Sequence, residues 1–474
     1  KAVAQVVIAE AGRLITATDG LIMLHDEQRE ALETIAGFGQ AYQPCITISS
    51  DQGIIGNISR SGRAEIVNDI FSDTRLFEGD DNISSLICAP LKAKQKVIGV
   101  IFIGNEEPIT YTAADLKLLN TIASQAAPAI ENALLFQKER QAVFFESPIA
   151  IALSLEISEP GDFQTQTVMN IPLLITRDTD GKAHCFINVC RHRGAKVCTA
   201  EKGHQSRFTC PYHAWTYSNR GALVGVYGEE TFGEVDRDTM GLTQLWCEER
   251  AGVIFACLTP AKSFDIDAWL GAFASKLGDQ DLLNWHLYET RYLPGAGWKA
   301  TMDGYLEVYH HDSVHGKTVG PHTVGNLLVH DTWGAHQRMA FARKNINEFN
   351  GLGDSPEAQP EQYIRVIHSV FPNLSISAIL GGHCLVGFIY PGETSRETLT
   401  RQLILSAAPP ESDQDRDAVE TFSQMTLQAV RDEDYALVAT VQQALSSGAN
   451  DSFLIGRNEP AVQHYHRMIE QICG

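Results

Sequence analysis

Residues 190–213 read CRHRGAKVCTAEKGHQSRFTCPYH, and this stretch decides what the second half of the chain can be. Cys190 and His192 form a Cys-x-His pair, and Cys210 and His213 form a Cys-x-x-His pair after an interval of seventeen residues. Each pair offers one thiolate and one imidazole from a short segment. Together the two segments supply a set of four metal ligands.

Two kinds of metal site use two cysteines and two histidines. A Rieske [2Fe-2S] cluster is held by two Cys on one iron and two His on the other. A structural zinc ion also accepts this set, but zinc fingers pair Cys with Cys and His with His along the chain. Each pair here is mixed, which favours a two-iron cluster held between two loops. Zinc stays open as the alternative.

The phrases NVCRHRGAKVC and CPYHAWTYSNRGALVG, which contain these residues, resemble the Rieske domain of the Rieske non-haem iron oxygenases, in particular the alpha subunits of the aromatic-ring-hydroxylating type. The resemblance continues to the C-terminus. It implies an all-β Rieske domain over 155–262 and an α+β catalytic domain of helix-grip (START-like) type, with a curved antiparallel sheet, over 263–474. It also implies the cluster ligands, which would be Cys190, His192, Cys210 and His213.

A second stretch, GWKATMDGYLEVYHHDSVHGKT at 297–318, contains a Glu-x-x-His-x4-His pattern. Two histidines and a carboxylate form the facial triad of non-haem Fe(II) oxygenases. On a regular helix His310 and His315 would point about 140° apart, so a local bulge should bring them together. His311 and Asp312 are also of ligand type. The family pattern favours His310 and His315.

The third ligand should come from the acidic residues at the head of a predicted amphipathic helix, RDEDYALVATVQQALSSG. Acidic residues are expected there in any case because they complement the helix dipole. Resemblance to the family selects Asp434, with Asp432 and Glu433 as the alternatives.

Two further acidic residues are predicted to act beside the iron without binding it. The resemblance implies that Glu307, on the same helix face as His310, hydrogen-bonds an iron-ligating histidine and reaches a Rieske histidine of the neighbouring subunit. Asp303, one turn earlier, is a candidate partner or proton donor, and an exposed helix charge is the alternative.

The first 140 residues form a separate predicted domain. A helical pattern from Val3 to Ile15 precedes alternating apolar runs, and the runs 86–91 and 97–103 bracket KAKQK as a hairpin. The order of elements resembles a GAF domain, an α/β sheet module with sensory or dimerising roles. Its closing helix carries an apolar stripe, which fits either a core face or a dimer helix.

Composition is typical of a multidomain globular protein. Of its 474 residues, 44% are hydrophobic and 20% are charged. A chain of this length is too long to fold around one ordinary core. The formal net charge of −21 disfavours nucleic acid and anionic membranes as partners. Ten scattered cysteines and the absence of a long apolar run predict a reduced, cytoplasmic protein.

We therefore expect an oxygenase terminal component with a [2Fe-2S] cluster and a mononuclear Fe(II), acting on O2 and an aromatic or other apolar substrate. NAD(P)H would supply electrons through a separate flavin reductase, a ferredoxin or both, and the resemblance implies a homotrimer or an alpha/beta hetero-oligomer. Two alternatives remain: a GAF-containing redox or oxygen sensor, and an artefactual fusion with an impaired oxygenase.

Overall fold

The structure is a computed structural model. It describes residues 1–26, 29–40, 46–50, 52–75, 83–94, 96–349, 360–380, 382–445, 447–450 and 452–474. These residues divide into two compact units, Lys1–Gln137 and Lys138–Gly474.

The first unit is built on one antiparallel six-stranded sheet, in the order β3-β2-β1-β6-β5-β4. Its strands are β1 (Asp19–Asp26), β2 (Ala31–Phe38), β3 (Thr47–Ser49), β4 (Glu65–Val67), β5 (Ser85–Ala93) and β6 (Lys96–Asn105). The helices are α1 (Ala2–Leu14), α2 (Gly53–Ser61) and α3 (Ala113–Glu139), the last of which continues past the unit.

Local signals in the sequence predict this unit well. The helix expected from Val3 to Ile15 is α1, and the expected hairpin is the pair β5–β6, in which Ala93 lies opposite Lys96. Thr112 and Asp115 form a reciprocal hydrogen-bonded cap at the start of α3. The apolar stripe of α3 lies in the core of the unit, through Leu119, Ala123, Ala126, Ala127 and Ile130.

The first part of the second unit consists of short antiparallel strands in three small sheets. They are β7 (Ile149–Leu153), β8 (Asp162–Val168), β9 (Ile171–Arg177), β10 (Ala183–Ile187), β11 (Lys202–His204), β12 (Arg207–Thr209), β13 (Thr216–Ser218), β14 (Leu223–Gly225), β15 (Gln244–Leu245), β16 (Cys247–Arg250) and β17 (Val253–Ala256). A single helical turn, α4 (Glu229–Phe232), follows β14. The connections after β10 and β12 carry the two Cys/His pairs.

The second part is a seven-stranded antiparallel sheet in the order β18-β24-β23-β22-β21-β20-β19. Its strands are β18 (His286–Gly295), β19 (Thr323–Trp333), β20 (His336–Arg343), β21 (Ile364–Val370), β22 (Leu374–Leu380), β23 (His383–Pro391) and β24 (Thr398–Ser406). The helices are α5 (Ile266–Leu270), α6 (Phe273–Gly278), α7 (Trp298–Tyr305), α8 (His311–Val314), α9 (Ile346–Phe349), α10 (Asp413–Leu427), α11 (Ala436–Leu445) and α12 (Pro460–Cys473).

A long helical element packs on one face of this sheet. It runs through α10, a π-helical segment (Gln428–Tyr435) and α11 without interruption. One apolar cluster joins it to the sheet, through Leu293, Leu385, Ile404, Val419, Phe422, Val430 and Tyr435. The predicted α+β class with antiparallel sheets is therefore confirmed. No helix in the described ranges is both long and apolar enough to cross a membrane.

A buried ion pair ties the first part of the second unit to the large sheet. Glu156, just after β7, accepts hydrogen bonds from Arg401 on β24, and the two side chains are only 4% and 6% exposed. Removing one partner of such a pair leaves a buried charge uncompensated.

We expect Glu156→Gln to destabilise the second unit by about 3 kcal/mol. Calorimetric unfolding of the full chain measures this loss. Asp413→Asn is the control, because Asp413 pairs with Arg416 through a 95% exposed side chain and its loss should cost less than about 1 kcal/mol. Equal effects of the two substitutions would show that the Glu156 pair stabilises nothing.

Candidate metal centres

The two Cys/His loops have the same backbone geometry. Cys190 N–H donates to the carbonyl five residues later, at 2.8 Å, and its own carbonyl accepts from the N–H four residues later, at 2.9 Å. Cys210 makes the same two bonds, at 2.8 and 3.0 Å. Each turn needs one left-handed residue, supplied by Gly194 (φ 76°) and Ala214 (φ 55°). The loops therefore present their Cys and His in matching orientations.

The four residues of the pattern meet at one place. Cys190 and Cys210 are buried, and the rings of His192 and His213 lie 4.7 Å apart between centroids. The Nδ1 atom of His192 is buried and has no hydrogen-bond partner within the described chain. A buried imidazole nitrogen without a donor or acceptor is costly unless a metal ion takes its lone pair. This orphaned atom fits ligation by His192.

Aromatic side chains surround this first centre. Trp215 is buried and stacks on the ring of His192 at 5.0 Å, whereas Tyr212 is exposed beside His213. Tyr217, which no sequence pattern indicated, also belongs to this centre. Its hydroxyl lies 3.3 Å from the Cys190 sulfur and accepts a hydrogen bond from the backbone N–H of Arg191. Burial and the neighbouring Cys190 raise the pKa of Tyr217, so the phenol stays protonated and can donate to the thiolate.

The second centre lies between the large sheet and the helical element on it. Helix α7 ends at Tyr305, and α8 is a single turn from His311 to Val314, so His310 and His315 flank that turn. The expected arrangement of Glu307 and His310 on one helix face is therefore wrong. The two imidazoles are brought together by a helix break and a tight turn, not by a bulge within a continuous helix.

The acidic residues are also placed differently from the prediction. They were expected at the head of a helix, but the helix begins at Asp413, and Asp432, Glu433 and Asp434 fall in the π-helical segment in its middle. Segments of this kind are frequent at functional sites. The structure thus places the carboxylates by a local widening of the helix.

Three ligand-type atoms converge at this centre. The Nε2 atoms of His310 and His315 are 3.2 Å apart, and Oδ1 of Asp434 lies 3.4 Å from the first and 2.9 Å from the second. All three side chains are largely buried. Two imidazoles and one carboxylate on one point form the donor set of a facial triad.

Each imidazole is held from behind by a second carboxylate. Glu307 hydrogen-bonds Nδ1 of His310, and its other oxygen accepts from the backbone N–H groups of Tyr309 and His310. Glu433 lies 2.7 Å from Nδ1 of His315 and accepts from the Thr318 hydroxyl at 2.6 Å. These contacts place a proton on each Nδ1 and leave each Nε2 free to bind a metal.

The other residues of ligand type near this centre lie outside the point where the three atoms converge. Asp432 is turned outward onto Arg431, and Asp312 is exposed. His311 is buried, with its ring 5.0 Å from His310 and 5.4 Å from His315, and the three histidines form a group able to hold a metal ion. Its Nδ1 faces the Thr323 hydroxyl at 3.4 Å.

Charge at this centre is strongly coupled. Burial opposes protonation of His310, but hydrogen bonds to Asp434 and Glu307 outweigh it and raise the pKa of His310 to about 9. No carboxylate in the described ranges hydrogen-bonds His311, and burial together with the neighbouring histidines lowers its pKa to about 3. His311 is therefore a neutral ring beside the triad.

Asp303 lies at the edge of the same centre. Its Oδ1 is 2.8 Å from Nε2 of His466 on α12. The described hydrogen bonds of Asp303 therefore point to His466 and not to the triad. It nevertheless lines a cavity of about 490 Å3 together with Glu307, His310 and Asp434. Its expected role as a proton donor stays a prediction.

Comparison with protein families identifies three segments. Residues 1–131 match the GAF domain, residues 147–234 match the Rieske [2Fe-2S] domain, and residues 282–474 match the catalytic domain of the ring hydroxylating alpha subunit. The chain belongs to the Rieske non-haem iron oxygenase alpha subunits. The GAF domain precedes the oxygenase domains.

Individual relatives agree with this family. The glycine betaine monooxygenase oxygenase subunit of Pseudomonas aeruginosa is 32% identical over 185 residues, which are 38% of this chain and less than half, 42%, of that subunit. The carnitine monooxygenase oxygenase subunit of Acinetobacter baumannii is 26% identical over 71% of this chain and 91% of its own. The crystal structure of a quaternary ammonium Rieske monooxygenase shares the fold, with a TM-score of 0.62 and 21% identity over 71% of this chain and 92% of that one.

Membership of this family implies a Rieske cluster and a mononuclear iron. The side chains fit both groups. At the first centre two buried cysteines accompany two histidines, one of them with an orphaned nitrogen, and at the second centre three donor atoms converge on one point.

We expect Glu433→Gln in this Rieske oxygenase to weaken Fe(II) binding at the second centre about 10- to 100-fold, because the amide no longer fixes the orientation of His315 as the carboxylate does. Competition with a chelator measures the change. Asp432→Asn is the matched control, since the carboxylate of Asp432 is adjacent in sequence but is paired with Arg431. Unchanged iron affinity in Glu433→Gln would remove the orienting role.

Proposed function

We propose that this protein is the terminal oxygenase component of a multicomponent enzyme that hydroxylates a small organic molecule with O2. The mononuclear iron is held by His310, His315 and Asp434, and the Rieske cluster by Cys190, His192, Cys210 and His213. The observation that carries the proposal is the convergence of Asp434 Oδ1 on two histidine Nε2 atoms. When bound in such a site, Fe(II) keeps open positions for O2 chemistry.

The residues behind the triad prepare it for that chemistry. Glu307 and Glu433 keep the Nδ1 protons of the two imidazoles and so point both Nε2 lone pairs at the same place. The buried apolar cluster beneath the π-helical segment fixes Asp434 against the sheet. Glu307 and Glu433 thus orient the two imidazoles for metal binding. Both donor sets are complete, and this favours an enzyme over a purely regulatory protein.

The relatives differ in the class of substrate for which they are named. The family model is named for ring hydroxylation, whereas the relatives above are named for glycine betaine and carnitine. An aromatic substrate was the expectation from the sequence. We extend the proposal to small organic molecules generally, with mono- and dioxygenation both compatible with it.

We further propose a head-to-tail homotrimer, in which the second centre receives electrons from a neighbouring subunit's cluster through Glu307. Exposed large apolar side chains collect at both centres, as expected of surfaces that bind protein. At the cavity beside Glu307 they are Leu437, Leu445, Phe453 and Leu454, and around the cluster loops they are Tyr212, Tyr227 and Phe232.

A separate reductase, with or without a ferredoxin, would supply electrons from NAD(P)H. The cluster loops support this proposal, because they carry exposed cations on a chain of net charge −21 and could steer an acidic partner to the cluster. These cations are Arg191, Arg193, Lys196, Lys202 and Arg207.

The two centres should be separable by substitution. His213→Ala is expected to abolish the Rieske EPR signal of dithionite-reduced protein while leaving the mononuclear iron bound. His310→Ala should do the reverse. Iron and sulfide analysis with EPR tests both, and the wild type should contain about three irons and two sulfides per chain. Equal loss of both metals in each variant would refute the two-centre proposal.

Glu307→Gln is expected to keep both metals and to slow electron transfer between them, because the amide cannot hold the His310 proton in the same way. Single-turnover oxidation of the reduced cluster in the presence of O2 measures the transfer rate. Asp432→Asn is the control, because the carboxylate of Asp432 is turned outward onto Arg431. Full turnover in Glu307→Gln would exclude the electron-path role.

A further inference from the structure

Arg365 on β21 lies on the sheet face that carries the second centre. It is directly opposite Phe341 of β20 in the antiparallel register, and directly opposite residues project from the same face. The ring of Phe341 meets the ring of His311 edge-on, at 5.4 Å between centroids. His311 in turn adjoins His310 and His315. One layer of side chains therefore separates Arg365 from the proposed iron ligands.

Within the described ranges, no carboxylate pairs with this arginine. Among the residues that the structure describes, Arg365 has no hydrogen bond and no ion pair, and the charged side chain that influences it most is another cation, Arg343. Desolvation, reinforced by Arg343, lowers the pKa of Arg365 to about 10. Enclosing a cation without a partner costs free energy, so such a group is rarely kept for stability alone.

Arg343 adds a second guanidinium at the same place. It stands two residues beyond Phe341 on β20, so its side chain leaves the same face of the sheet. Its guanidinium donates a hydrogen bond to the backbone carbonyl of Gln362, at 3.2 Å. Two adjacent cations with no carboxylate among the described residues form an anion-binding arrangement.

Three buried arginines of the second unit, in contrast, have carboxylate or hydrogen-bonding partners. Arg401 is paired with Glu156, and Arg177 with Glu249. Arg291 donates to Gln402, Ser423 and Thr426. Arg365 differs from all three because no such partner is found for it in the part of the chain that the structure describes, and it lies opposite Phe341 in the layer beside the proposed iron ligands.

We propose that Arg365, assisted by Arg343, binds a carboxylate on the substrate and thereby orients the rest of the molecule toward the second centre. This inference rests on the proposed oxygenase function and narrows its substrate class to organic acids. The planar guanidinium can hold a carboxylate through two parallel hydrogen bonds. A neutral hydrocarbon would leave the cation unpaired, and a simple cation would be repelled.

The carboxylate can belong to two kinds of molecule. An aromatic acid carries it on a ring, and a betaine carries it beside a quaternary ammonium group. The recognition chemistry at Arg365 is the same for both. Matched probes separate the two sources: benzoate against benzamide for the aromatic acids, and glycine betaine against choline for the trimethylammonium compounds.

Calorimetric titration of the iron-loaded full chain tests the proposal. We expect the wild type to bind at least one carboxylate about tenfold or more tightly than its matched probe without the acid group. Arg365→Met should remove that preference, and Arg365→Lys should retain part of it, because a point charge replaces the fork. Arg338→Met is the control: Arg338 lies on β20 and is paired with Asp331, and its loss should leave the preference unchanged.

Stability gives an independent measurement. If Arg365 is unpaired until an acid binds, Arg365→Met should keep or raise the melting temperature of the ligand-free protein, whereas a structural arginine would lower it. A wild type without preference for either carboxylate, or an Arg365→Met variant that retains the preference, would overturn the inference. Failure of the proposed function is distinct, since it would appear as missing iron, missing cluster or absent NAD(P)H-driven O2 uptake in the wild type.

Discussion

The contact between Asp434 and the two imidazoles is the constraint on which the second unit depends. Three carboxylates, Glu307, Glu433 and Asp434, are largely buried against only two histidines. Such a cluster needs compensating positive charge. Protons on His310 and His315, whose pKa values are both raised, supply it in the metal-free protein, and a divalent cation supplies it in the loaded one. Metal binding and proton release are therefore coupled at this site.

The π-helical segment carries two consecutive residues that serve one site, Glu433 and Asp434. On a regular α-helix, neighbouring side chains diverge by about 100°, which separates two such residues more widely. A helix with i→i+5 bonding holds more residues per turn, and the angle between neighbours shrinks. Asp434 then reaches the two Nε2 atoms, while Glu433 contacts Nδ1 on the other side of the His315 ring. The irregularity is thus placed where the chemistry requires it.

The sequence predicts which side chains come together better than it predicts the backbone that carries them. Cysteine and histidine spacing is a local property, and it indicated both centres. The break after Tyr305 and the π-helical segment depend on contacts between segments more than 100 residues apart, which no local pattern contains. Tyr217 and Arg365 were missed for a related reason. Each is a single residue in a strand, and its role comes from a residue distant in the sequence. For Tyr217 that residue is Cys190, and for Arg365 it is Phe341.

Net charge was an equally poor guide to local recognition. The chain carries −21 overall, yet the cluster loops are cationic. In addition, two arginines without carboxylate partners in the described ranges stand near the proposed iron ligands. Charges on the outside are screened within about 10 Å at ordinary ionic strength, whereas an enclosed charge is not. The enclosed arginines therefore govern what the site accepts, whatever the sign of the surface. An acidic protein can in this way select an acidic substrate. Salt screens the repulsion between the substrate and the protein surface, but it does not screen the attraction within the binding site.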